Sequence, residues 1–253
     1  MTPEQAQNRL AQDLASLGLR SGGVVLVHSS LSSLGQVAGG SESVVRGLLQ
    51  ALGTDGTLLM PALSYQHVHV DQRVFDVSRT SSCVGAIPEH FRLRRGTQRS
   101  LHPTHSVCGA GAQVAAVLAD HHLDRTPVGE HSPFRRLRDH SGQVLFLGCS
   151  MVPNTSMHGV EELVEPPYLF GRTISYSLVN ADGGKSEITY RSHGFGGGLW
   201  GQRYERLEAL LGPDELRVGA VLEATAHLVE AEAMWRRGEE ALRGDPLFFV
   251  ERR

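Results

Sequence analysis

The chain has 253 residues, with 24 Lys and Arg against 27 Asp and Glu and a formal charge of −3. With 40% hydrophobic and 20% charged residues, it has the balance of a globular protein with ample material for a core, and nothing points to nucleic acid or a membrane surface as partner. Cys83, Cys108 and Cys149 are odd in number, widely spaced and without a CxxC pair, which excludes a disulfide framework and a thiolate zinc site and leaves reduced thiols as the expectation.

The first residues lack the basic start and apolar block of a signal peptide. No apolar run approaches the roughly 20 residues that cross a bilayer. A cytoplasmic protein is therefore expected. Thr2 can cap a helix that has Pro3 in its first turn and Leu10, Leu14 and Leu17 on one face, closed by Gly18. Residues 24–27, VVLV, read as a buried strand that runs into His28 and a Ser/Gly-rich loop. A helix follows from Ser41, with Val44, Val45, Leu48, Leu49 and Leu52 at helical spacing, and residues 57–60, TLLM, make a second strand. Two strands joined by a crossover helix predict parallel pairing.

Residues 61–100 read as an irregular excursion holding a capped helix at 80–95, which Pro88 kinks or starts. His67, His69 and Asp71 have ligand-like spacing, but no further ligand lies near them to complete a site, and an exposed loop fits them better. His102 and His105 flank a turn at Pro103. Residues 113–119 continue as a helix, and Ser132-Pro133 starts another. Arg125, Arg135, Arg136 and Arg138 suit either phosphates or a solvated face.

Residues 144–147 are a third apolar run, ended by Gly148. In the polar turn that follows, Asn154, Thr155 and Ser156 can cap a helix. His158, Glu161 and Glu162 then share one face by their i, i+3 and i+4 spacing. An imidazole beside a carboxylate just past a strand end suits a general base; a solvated, capped helix fits the same spacing. After Pro166-Pro167, residues 173–179 and 187–191 alternate around Asp182-Gly183-Gly184 as an antiparallel hairpin. Residues 194–198, GFGGG, are a joint. Residues 204–211 read as helix, 217–222 as a short strand and 225–238 as an amphipathic helix. The expected fold is α/β: a mixed, partly parallel central sheet flanked by helices, with a C-terminal antiparallel hairpin region, in a single domain over residues 1–253. Ligands of such folds bind beyond the C-terminal strand ends, here after His28, after Pro61 and after Cys149.

The segments VHSSLSSLG, RTSSCVGAIPE, RSLHPTHSVCGAGA, GEHSPFRRL and GQVLFLGCSMVPNTSMHGVEE, in that order, resemble the aminoglycoside N(3)-acetyltransferase family. The resemblance runs over about residues 5–250 and is strongest between Val24 and Glu162. It implies transfer of the acetyl group of acetyl-CoA to the 3-amino group of a 2-deoxystreptamine aminoglycoside, with antibiotic resistance as the consequence. It also implies His158 as general base, Glu161 as its orienting carboxylate, and Thr155, backed by Asn154, as oxyanion donor. His28, Ser29, Ser30, Leu31, Ser32, Ser33, Leu34 and Gly35 resemble the loop that contacts CoA, as do His105, Ser106 and Val107. Tyr65, Asp71, Asp76, Glu162 and Glu165 are candidates for gripping the polycationic sugar.

The residues past 60 and past Pro166, which line the acceptor pocket in that family, match poorly. Acetyl transfer to another primary amine is therefore the alternative. No metal is expected. A metal-dependent hydrolase built on His67, His69, Asp71 and His158, and a non-catalytic binder of cationic sugars, are the readings from other classes. A homodimer is compatible with the sequence.

Overall fold

The computed structural model describes residues 1–253. Helix α1 (Pro3–Leu17) starts with a capping box: the Thr2 hydroxyl accepts from the Gln5 N–H, and the Gln5 side chain accepts from the Thr2 N–H. Strand β1 (Val24–Ser29), helix α2 (Gly40–Leu52) and strand β2 (Thr57–Pro61) form the expected crossover unit. β1 and β2 run parallel, with Val24 beside Thr57. Then come β3 (Val74–Asp76), α3 (Ala86–Leu93), β4 (Gln98–Arg99), β5 (Val107–Gly111), α4 (Val114–Leu118), α5 (Pro133–Asp139), β6 (Gln143–Leu147) and α6 (Ser156–Val164). The last part holds β7 (Phe170–Val179), β8 (Lys185–His193), β9 (Trp200–Gln202), a 3₁₀ segment at Tyr204–Leu210, β10 (Leu216–Val221), β11 (Ala224–Glu230), α7 (Ala231–Gly244) and β12 (Val250–Arg252).

The main sheet has the order β10-β11-β6-β1-β2-β5-β4. Its centre, β6-β1-β2, is parallel and the strands outside it are antiparallel. Alternation along the central strands builds two cores. Val24, Leu26, Val144 and Phe146 face the core shared with α5, α6 and α7. Val25, Val27, Leu145 and Leu147 face the core shared with α1, α2 and α3. Both faces are covered, so the parallel strands read as unbroken apolar runs. A second sheet, β3-β7-β8, stands apart over a small core of its own that holds Phe75, Tyr176 and Tyr190.

The chain leaves β1 for β2 on one side, while β6 pairs with β1 on the other. The C-terminal ends of β1, β2 and β6 therefore open onto one crevice, the usual ligand position in such sheets. Gly148, at φ +73°, turns the chain out of β6; a Cβ there would lie 3.0 Å from the Ser33 Cβ and 3.2 Å from the Ser30 carbonyl. The β1 and β6 loops can pack this closely only because the residue is glycine.

Three expectations are corrected. Residues 225–229 are strand, and the helix begins at Ala231. The apolar spacing of this stretch fits a helix, but β6 would otherwise be an open sheet edge. Residues 226–230 fill it antiparallel, with Ala226 beside Leu147 and Leu228 beside Leu145. The helix foreseen at 80–95 occupies only Ala86–Leu93, because Gly85 enters it at φ +115°, and Pro88 lies in the first turn, where no N–H is lost. The hydroxyls and amide before α6 do not cap it by side chain. Backbone carbonyls of Asn154 and Thr155 accept from Met157 and His158 instead, which frees the side chains for other contacts.

Candidate active site

Helix α6 leaves the crevice immediately after the β6 turn, so its first turn lies over the ends of β1 and β6. Gly159 lets it approach α7. A Cβ there would sit 2.2 Å from the Trp235 ring and 2.6 Å from Val128. His158 on that turn faces a cleft of about 810 Å³, and Glu161, one turn on, is fully buried behind it. The His158 Nδ1 is 3.4 Å from Glu161 Oε2 and 3.1 Å from the Tyr204 hydroxyl. Tyr204 donates to Glu161 Oε2 at 2.8 Å, and Tyr168 donates to Oε1 at 2.9 Å. Burial and the neighbouring carboxylate raise the phenols of Tyr168 and Tyr204, so both stay protonated donors. With Nδ1–H directed to this pair, the Nε2 lone pair of His158 is the one left for chemistry.

A second imidazole and carboxylate stand beside the first. His193 Nε2 lies 2.9 Å from Glu162 Oε1, and the two rings His193 and His158 are 5.1 Å apart. The Val128 N–H and the Thr126 hydroxyl also donate to Glu162. Burial raises the Glu162 carboxyl, but His193 and these donors outweigh it and hold it low. Burial lowers His193 and pushes His105 well below the ordinary imidazole value, so these cleft walls are neutral. His105 is held from behind: its Nδ1 is 2.8 Å from the Thr104 hydroxyl, and its N–H donates to His102 Nδ1. His28, stacked on Phe146 and lowered to about 3 by burial, forms the floor.

Of the residues singled out in the sequence, His28, Ser29, Tyr65, His69, His105, Cys149, Asn154, Thr155 and His158 line this cleft. Asn154 turns its amide towards Met234 Sδ at 3.2 Å, with its carbonyl oxygen buried and unpartnered. Leu34, Ser106 and Val107 are buried within the fold; the Ser106 hydroxyl is taken by the Ala62 carbonyl. Ser29, Ser30, Leu31, Ser32 and Gly35 line a neighbouring hollow of about 590 Å³, onto which Gly40 of α2 and Ala86 of α3 also open. Ser30 lies 2.9 Å from the exposed Ser33 hydroxyl.

The four carboxylates proposed for sugar binding do not line the cleft. Asp71 points to solvent with its side chain 86% exposed, and Asp76 accepts from the N–H groups of Ser78 and Arg79. Glu162 is engaged as described, and Glu165 closes α6 at φ +52°. His69 Nδ1 lies 4.0 Å from Asp71 Oδ2, but no group of three or more His, Cys, Asp or Glu residues is arranged to hold a metal.

Sequence reasoning missed Tyr168, His193, Phe195 and Tyr204. Tyr204 lies 46 residues beyond His158, and no spacing rule links residues so far apart. Phe195, at φ +44° among glycines, is the one of these with a local signal: a bulky residue in a Gly-rich turn. It stacks on Tyr168 at 5.9 Å and tilts over His158 at 5.7 Å. Backbone held in this region is costly and clusters at functional sites.

The sequence profile described as aminoglycoside 3-N-acetyltransferase matches residues 26–243. Aminoglycoside N(3)-acetyltransferase IX of Micromonospora chalcea is 34% identical over 179 residues, 63% of this chain and 62% of that protein. The chain thus aligns with about three fifths of that relative's length. Among solved structures, aminoglycoside acetyltransferase AAC(3)-Xa superposes with a TM-score of 0.82 at 28% identity, covering 93% of this chain and 92% of that one. AAC-IIIb, solved as a binary complex with CoASH, superposes at 0.80 with 26% identity over 96% of this chain and 97% of that one.

Proposed function

The chain belongs to the aminoglycoside 3-N-acetyltransferase family, and on that premise we propose that it moves the acetyl group of acetyl-CoA onto a primary amine in the cleft. The family's acceptor, the 3-amino group of a 2-deoxystreptamine aminoglycoside, is the first reading, with antibiotic resistance as its outcome. Residues 1–253 act as one catalytic unit in the cytoplasm. Its partners are CoA and a small-molecule amine. A homodimer is compatible with a site built within one chain.

The observation that carries this reading is the contact of His158 with Tyr204 and Glu161 at a cleft that adjoins the Ser/Gly hollow. An amine at neutral pH is mostly ammonium, and its lone pair is free only after a base takes a proton. His158 Nε2 takes that proton. That first proton passes from His158 to solvent; as the freed nitrogen attacks the thioester carbon, His158 Nε2 takes the second proton from it, the C–S bond breaks, and this proton goes to the departing CoA sulfur. Tyr204 and Glu161 hold the Nδ1–H side and stabilise the imidazolium. Thr155, whose hydroxyl is free of a capping bond, donates to the oxygen that becomes anionic, with Asn154 behind it; such a donor contributes about 10²–10³ in rate. The residues present suit CoA: the Ser29–Gly35 loop and the starts of α2 and α3 offer backbone N–H groups and hydroxyls for its phosphates.

A second reading, acetyl transfer to a different primary amine, is favoured by one observation: no carboxylate lines the cleft. Thiol release from acetyl-CoA, measured with gentamicin, kanamycin and apramycin separately, tests the first reading. Release with any of them, abolished in His158→Ala, is the expected result. Release with none, while acetyl-CoA binds, removes the aminoglycoside reading.

A further inference from the structure

Two buried phenols hold the carboxylate behind His158: Tyr204 donates to Glu161 Oε2 and Tyr168 to Oε1. They lie far apart in the chain, yet one short strand stands behind both. β12 pairs with β9 and with no other strand, Val250 beside Gln202 and Arg252 beside Trp200. Where the chain leaves β9 for Tyr204, the Arg203 N–H donates to the Phe249 carbonyl at 2.8 Å. The Phe249 ring is fully buried and meets the Tyr204 ring edge-on, with centroids 6.3 Å apart. Val250, the next residue, is buried in a small cluster with Tyr168 and Leu169, and the Trp200 ring lies 6.2 Å from that of Tyr168. Arg206 fastens the strand from outside. It donates to the carbonyls of Phe248 and Val250 at 2.8 and 3.3 Å and, with Arg203, pairs with Glu251.

Neither Phe249 nor Val250 lines the cleft, so neither touches a substrate. Their side chains meet the phenols instead. A hydrogen bond weakens steeply as its angle departs from the ideal, and a misplacement of about 1 Å can cost about 10² in rate. A packed interior has few voids to absorb such a shift. Space opened behind Tyr204 reaches His158 directly, because the phenol is 3.1 Å from Nδ1. Space opened behind Tyr168 reaches it through Glu161.

We propose that Phe249 and Val250 are positioning residues for acetyl transfer: Phe249 fixes the Tyr204 hydroxyl and Val250 fixes that of Tyr168, so that β12 sets the geometry of Glu161 and His158 from behind. The proposal rests on the acetyl-transfer reading above and deepens it at the same site.

The test is a double-mutant cycle on thiol release from acetyl-CoA, with the best acceptor among gentamicin, kanamycin, apramycin and benzylamine. Phe249→Leu keeps an apolar side chain in the core and loosens Tyr204. It is expected to lower the turnover number about tenfold, with the KM for acetyl-CoA within about twofold of the wild-type value. In a Tyr204→Phe background the same substitution is expected to cost about twofold or less, because the hydroxyl it positions is gone. A purely structural Phe249 lowers turnover by the same factor in both backgrounds; that result, or unchanged turnover in the single variant, overturns the proposal. Val250→Ala, set against Tyr168→Phe and read in the same way, decides where Phe249→Leu does not fold. Absence of thiol release from the wild-type chain with every one of these amines removes the acetyl-transfer reading and the proposal with it, whereas equal factors in the two backgrounds remove the proposal alone.

Discussion

The Tyr204 hydroxyl stands 2.8 Å from Glu161 Oε2 and 3.1 Å from His158 Nδ1, closer to the imidazole than the carboxylate itself at 3.4 Å. The phenol therefore couples base to carboxylate: it donates its own proton to Glu161 and presents its lone pairs to the Nδ1–H. The orienting group of His158 is this pair rather than Glu161 alone.

Tyr204→Phe removes that coupling while keeping the ring. The turnover number is expected to fall by about 10- to 100-fold, less than the loss of the whole general base, which contributes about 10²–10⁴, with the KM for acetyl-CoA unchanged. Steady-state kinetics with any accepted amine checks it, and unchanged turnover would return the orienting role to Glu161 directly.

His158→Ala is expected to lower turnover by about 10²–10⁴, with CoA affinity preserved because the hollow lined by Ser29–Ser32 lies outside this contact. Calorimetric titration with CoA alongside the kinetics separates the two. Loss of CoA affinity with normal turnover would reverse the assigned role.

Gly159→Val drives two methyl groups into Trp235 and Val128, where even a Cβ is 2.2 Å and 2.6 Å from its neighbours. Overpacking of this kind costs about 1–3 kcal/mol or more. A lower melting temperature is expected, together with reduced activity, because α6 carries His158. An unshifted melting temperature would mean that α6 and α7 separate freely.

Stability is expected to fall as the medium is acidified below pH 6.5. His28 and His102 are lowered from 6.5 to about 3 and about 4 by burial. Above 6.5 both folded and unfolded chains carry them neutral, and nothing changes. Below it the unfolded chain takes up protons that the folded chain does not, so unfolding becomes easier by up to about 1.4 kcal/mol per pH unit for each group. Glu162, held low by His193 and its donors, acts in the same direction below its ordinary 4.5. Urea denaturation at pH 7.5, 6.0 and 5.0 should show a monotonic decline in midpoint. A flat profile would show that these imidazoles ionise within the fold.

Much of the first 165 residues was legible. The α1 capping signal, the apolar runs of β1, β2 and β6, and the His158–Glu161 spacing are local patterns, and local patterns survive folding where packing agrees with them. The misreadings came where packing decides. Residues 225–229 carry apolar spacing that suits a helix, and the open edge of β6 made them strand. The polar triplet before α6 looked like a cap, but Asn154 and Thr155 line the cleft, the Asn154 amide reaching Met234, and the Ser156 hydroxyl is buried, while backbone carbonyls begin the helix.

The sequence by itself determined the parallel α/β centre, the helix turn that carries His158 and Glu161, and the Ser/Gly loop after β1. Each of these follows from periodicity or from residues within one turn of one another. Tertiary structure alone decided that Tyr168 and Tyr204 hold Glu161, that Glu162 is spent on His193, and that no carboxylate lines the cleft beside His158. Those facts depend on which of many Asp, Glu, His and Tyr residues meet across the ends of separate strands. A sequence records that such groups are present, but only chain crossings in space determine which of them are consumed by partners and which remain to face a substrate.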